Sequence, residues 1–157
     1  MGMQYDVKSQ HGGVSGLMVP YRTRLKGAVV FPFSGATEYT VLVDDTSITG
    51  TYARATTTAT ITSANHGLST GQWVYLDWDL TDNPYQVTVT GTNTFTVTVP
   101  NSGAASGNVT VWTTMLLQAD ASNATAFSIT IPGQGILAQN GIRAFLATDI
   151  HATVFYG

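Results

Sequence analysis

Two short alternating runs constrain this chain more than anything else in it. Tyr85–Thr90 and Thr94–Val99 set Val87 and Val89 against Phe95, Val97 and Val99, with Gly91-Thr92-Asn93 between the runs. Apolar and polar residues alternating on both sides of a glycine-containing loop mark a β-hairpin with one buried face. The same rhythm recurs along the 157 residues. Threonine and valine dominate, and strong helix formers seldom recur at helical spacing. Strands are expected at Gln4–Ser9, Gly16–Val19, Thr23–Pro32 and Thr37–Val43, after which Asp44-Asp45 opens a polar loop. Ala55–Ser63 and Trp73–Trp78 follow, then a turn at Asp79–Pro84 and the hairpin itself. Asn108–Trp112, Met115–Ala119, Phe127–Ile131, Gly141–Leu146 and Ala152–Tyr156 complete the set. Short strands at this spacing predict an all-β antiparallel fold of sandwich or barrel type.

Before the hairpin runs Ala64-Asn65-His66-Gly67-Leu68-Ser69-Thr70-Gly71-Gln72-Trp73-Val74-Tyr75-Leu76. Gly67 and Gly71 supply the positive φ that tight turns need. His66 is expected to satisfy backbone groups of the same turn, as polar turn residues do. This His-Gly-Leu, Gly-x-x-Val pattern resembles that of small β-modules related to the first catalytic cysteine half-domain of ubiquitin-activating enzymes. The resemblance spans residues 55–112. Such modules recur in tailed-phage structural proteins, and the half-domain itself does no chemistry, so the resemblance implies a structural accessory.

The simplest organisation is a split host: residues 1–52 plus 113–157 form an antiparallel, jelly-roll-like sandwich, and 53–112 form a small β-barrel-like module inserted in one loop. Insertion requires only that the ends of the module lie close together. In the host, Tyr5-Asp6-Val7-Lys8, the run Val19-Pro20-Tyr21-Arg22-Thr23-Arg24-Leu25-Lys26, and the closing Ala152-Thr153-Val154-Phe155-Tyr156-Gly157 resemble small virion proteins of marine tailed phages. That resemblance implies a virion component.

Charged residues make up 10% of the chain and hydrophobic ones 43%. Soluble domains carry about 25% charge. A subunit held in an assembly hides much of its surface and needs fewer charges, whereas a hydroxyl-coated β-protein is the plainer explanation. The net charge of −3 provides no global basic footprint for nucleic acid. The absence of cysteine excludes disulfides and thiolate metal sites. Met1–Asp6 lacks the basic and apolar pattern of a secretory signal, and no apolar run reaches the roughly 18 residues of a membrane helix. The expectation is a soluble protein made in a cytoplasm, with no membrane and no nucleic-acid partner.

Catalysis needs titratable groups converging in a cleft. The chain offers Glu38, eight aspartates and His11, His66 and His151. No Gly-x-Ser-x-Gly elbow accompanies them, so no catalytic residue and no cofactor is expected. Asp77, Asp79 and Asp82 make an acidic run around Trp78 and Asn83, but the glycine and distal glutamate of an EF-hand are missing. A solvated loop that discourages edge pairing is expected there, not a metal site. Arg22, Arg24 and Lys26 alternate and share one face, either for docking to an acidic neighbour or as an ordinary wet strand face. Trp73 and Tyr75 are expected together on the outer face, opposite Val74 and Leu76. An uncovered aromatic pair is costly, so it is an interface candidate.

These readings converge on a non-enzymatic virion protein: a minor capsid decoration or cement protein. It would be held as a homo-oligomer, with a trimer suggested by how such proteins sit on icosahedral shells, and would contact the major capsid or other virion proteins. The alternative is a tail-fibre or receptor-binding module that recognises a host-surface glycan through exposed aromatics.

Overall fold

A computed structural model describes residues 7–33, 38–78, 80, 83–121 and 125–157. Alternation in the sequence is realised there as sixteen strands and no helix. The first stretch gives β1 (Lys8–Gly12), β2 (Gly16–Val19), β3 (Thr23–Pro32) and β4 (Glu38–Asp44). The middle gives β5 (Ser47–Ala55), β6 (Thr58–Thr62), β7 (Trp73–Trp78), β8 (Asn83–Gln86), β9 (Thr88–Gly91), β10 (Thr94–Thr98) and β11 (Ser106–Trp112). The last gives β12 (Met115–Ala121), β13 (Phe127–Thr130), β14 (Ile136–Ala138), β15 (Ile142–Leu146) and β16 (Ile150–Tyr156).

The chain divides into two units, Met1–Asp45 with Leu116–Gly157, and Thr46–Met115. The inserted unit therefore begins earlier and ends later than the expected 53–112. The reason is β5, which was expected to be a polar loop. It pairs with β6 from Thr51↔Thr62 to Ala55↔Thr58, and with β11 from Trp112↔Ser47 to Ser106↔Ala53. Residues 46–52 thus belong to the insert through two ladders.

The discontinuous unit is a two-sheet sandwich. One sheet runs β1-β16-β3-β13, with β14 also on β3; the other runs β12-β4-β15-β2. Leu25, Ala28, Val154 and Tyr156 from the first sheet pack with Val19, Leu42, Leu116, Ile142 and Ala144 from the second. Two sheets interdigitating one apolar face each is the sandwich arrangement. Each fully buried Leu or Ile contributes about 1.5–3 kcal/mol relative to exposure. Asp44, expected to open a loop, closes β4 instead. Its buried carboxylate accepts hydrogen bonds from the backbone N–H of Gln139 and from the N–H and side-chain amide of Asn140. That bonding organises the link between β14 and β15.

The inserted unit is one seven-stranded sheet, ordered β8-β7-β11-β5-β6-β10-β9. Its two edge strands, β8 and β9, are separated in sequence by Val87 alone. The sheet must therefore curl until its edges nearly meet, and its inner face closes over Phe95, Ile61, Leu76, Val74, Val97 and Val111. This is the small barrel-like module of the sequence reading. The expected Tyr85–Thr90 strand is two strands because Val87 leaves the ladder. Its N–H donates to the Gln72 carbonyl (3.0 Å), and its own carbonyl accepts from the Gly71 N–H (2.8 Å). The hairpin pairs Phe95 with Val89 and Thr96 with Thr88. Arg54 holds the 101–104 loop through Asn101, Gly103 and Ala104.

Candidate functional site

The turn that carries the His-Gly-Leu pattern is locked by its own side chains. His66, 7% exposed, accepts the Leu68 N–H at Nδ1 (3.0 Å). An acceptor at Nδ1 leaves the ring proton on Nε2, which donates to the Gly91 carbonyl at 3.0 Å. The ring also meets Phe95 edge-on, 5.2 Å between centroids. Gly67 and Gly71 take φ of +66° and +88°, the left-handed region that favours glycine. Asn65 joins them at φ +47°. Around Gly71, Thr70 Oγ1 accepts from the Val89 N–H, Gln86 Nε2 donates to the Gly71 carbonyl, and Gln72 Nε2 donates to the Thr113 carbonyl. These residues act on the architecture: they fasten the loop across the junction of β8 and β9.

The aromatic pair divides. Val74 and Leu76 face the inner core, as alternation requires. Trp73 is 52% exposed, but Tyr75 is 2% exposed, which corrects the expectation of a shared open face. Tyr75 lies opposite Trp112 in the β7–β11 ladder, and Trp112 is buried as well. Trp73 lies at the end of its strand, opposite Gln86 at the sheet edge. Of the two, only Trp73 offers surface.

Arg22, Arg24 and Lys26 do share one side of β3 and its approach, and their bonds run to neutral oxygens of the 134–139 segment. Arg22 Nε donates to Gln139 Oε1 (2.9 Å), Arg24 NH1 to the Gly135 carbonyl (3.3 Å), and Lys26 Nζ to the Gln134 carbonyl (3.1 Å). That segment includes β14, which pairs Leu137 with Arg24. Beside the row, Tyr21 and Tyr156 share a hydroxyl hydrogen bond of 3.3 Å. That bond and, next, burial raise the Tyr156 phenol above its ordinary value.

Asp77 is exposed on a groove of about 680 Å³ on β5, β7 and β11, beside Thr49, Thr51, Asn108 and Thr110. Asp79 and Asp82 lie outside the described residues. Among the described residues, no three His, Cys, Asp or Glu side chains come together as a metal cage. Sequence reasoning missed one pairing: His11 and His151 meet through the β1–β16 ladder. His151 Nδ1 is 3.3 Å from His11 Nε2, and His11 Nδ1 is 3.0 Å from Thr153 Oγ1. Two histidines 140 positions apart leave no local signal of contact. No protein-family model and no curated protein matches the chain.

Proposed function

We propose that this chain is a non-enzymatic structural protein of a bacteriophage virion, a minor capsid decoration or cement protein that acts by repeated protein–protein contacts as a homo-oligomer. The supporting observation is the pairing of sparse charge with exposed large apolar side chains. Only 10% of residues are charged, yet Val14 is 80% exposed, Phe33 65% and Trp73 52%. Exposed apolar side chains on a chain poor in charge favour burial against a neighbour. Repetition over a shell multiplies contacts of modest size. The glycan-binding alternative loses support with Tyr75, since a stacking platform then has one aromatic from β7 in place of two.

Sedimentation of the full chain is expected to give a trimer, and a map of the whole particle is expected to place it on the head. A monomer at all accessible concentrations, or density confined to the tail tip, overturns the reading.

A further inference from the structure

The chain has six lysines and arginines. Three of them, Lys8, Arg22 and Arg24, line one cleft of about 350 Å³ with Tyr21 and Tyr156, and Lys26 stands next along the same row. Among the described residues none of these four makes an ion pair; Arg22 bonds an amide oxygen, and Arg24 and Lys26 each bond a backbone carbonyl. Arg143, by contrast, is paired with Asp45 at 2.7 Å. Gly157 lines the same cleft, but no Asp or Glu among the described residues does. A cluster holding four of the chain's six cations therefore sets up a local positive field on a molecule whose net charge is −3.

We propose that this cleft docks an extended acidic segment of a partner protein, with carboxylates at alternate positions. The inference deepens the structural-protein reading by naming the chemistry of one contact. Side chains two apart on extended backbone repeat every ~6.6–6.8 Å. Arg24 and Lys26, both on β3, have that pitch, and so do the alternate side chains of an extended partner segment; Arg22 stands just before the strand. Each guanidinium carries five N–H donors, and the bonds to Gln139 and Gly135 engage one apiece. Among the described residues nothing else engages the remaining fork, which can grip a carboxylate with two parallel bonds. A nucleic-acid strand is the poorer fit, because its affinity grows with the number of phosphates neutralised. Four cations on a net-negative chain neutralise few.

The test is fluorescence anisotropy with the full chain and a labelled peptide alternating aspartate with threonine. Controls are the same peptide carrying asparagine for aspartate, and an oligothymidylate of equal charge. The aspartate peptide is expected to bind, the asparagine peptide to fail, and Arg22→Gln with Arg24→Gln to weaken binding by about tenfold or more. Arg24 also supports the Gly135 turn through a part-buried bond, whereas the Arg22 bond to Gln139 is exposed. Lys8→Gln with Arg22→Gln is therefore measured in parallel and is expected to weaken binding with only a small shift in melting temperature. No binding of the aspartate peptide, equal binding of its asparagine form, preference for the oligothymidylate, or full binding by folded variants each overturns the proposal. Those outcomes leave the sedimentation and particle-map results untouched, so the two readings fail separately.

Discussion

His66 Nε2 lies 3.0 Å from the carbonyl oxygen of Gly91, across 25 positions of chain, while its Nδ1 accepts the Leu68 N–H. One buried ring therefore satisfies a donor in the turn and an acceptor at the end of β9. Replacing it with alanine orphans both, and a buried unsatisfied polar group costs about 1–3 kcal/mol. The His66→Ala chain is expected to melt several degrees lower. An unchanged melting temperature would show that water serves both groups equally well.

Gly67 and Ser69 lie two residues apart in the same turn and differ in what a side chain would meet. A Cβ at Gly67 has nothing within 4 Å, so its cost is conformational alone, at φ +66°. A β-branched residue there is expected to cost about 1–3 kcal/mol. Ser69 is exposed, and Ser69→Val is expected to stay within about 0.5 kcal/mol. Paired thermal melts of Gly67→Val and Ser69→Val check the difference; equal shifts would contradict the positive φ.

Closure of the seven-stranded sheet through Val87 makes the inserted unit self-sufficient. Its core is drawn from its own residues, and its first and last strands, β5 and β11, are ladder partners from Ser47↔Trp112 onward. A polypeptide of residues 46–115 is expected to show a β-type circular dichroism spectrum and a cooperative melt. The shorter 53–112 piece omits most of β5 and is expected to be unstructured. A folded 53–112 piece would mean that β5 is dispensable to the sheet.

Much of this fold is legible because alternation is a local signal. Gly16–Val19, Thr23–Pro32 and Trp73–Trp78 are strands with the expected ends. β5 escapes because Gly50 interrupts the spacing between Ile48 and Tyr52, which do face the core. The glycine is there for contact: a Cβ would press on the Thr62 carbonyl oxygen and lie 3.1 Å from Ser63 Cβ. β14 escapes because three residues are too few for a period to register. Val87 escapes because its partners, Gly71 and Gln72, come from a loop. The turn residues His66, Gly67 and Gly71 were readable from conformation and chemistry alone. The cationic row was readable as a row, but the oxygens its members bond come from a distant segment.

Trp73 and Tyr75 test the assembly reading most directly, because one strand presents both and only one is open. Tyr75→Ala removes a ring that is 2% exposed. Truncating a large buried aromatic costs about 3–5 kcal/mol, so the melting temperature of the full chain is expected to fall by roughly 2–4 °C per kcal/mol. Trp73→Ala removes a ring that is 52% exposed, and the melt of the dissociated chain is expected to be nearly unchanged. If Trp73 anchors a neighbouring subunit in a well-packed site, its loss costs about 2 kcal/mol or more of association. The oligomer then dissociates at concentrations where the parent stays intact, as sedimentation would reveal. Normal sedimentation with lost adsorption to host cells would transfer Trp73 to the glycan alternative. Normal sedimentation and normal adsorption together would remove Trp73 from both, leaving the exposed Val14 and Phe33 as the next apolar contacts to substitute.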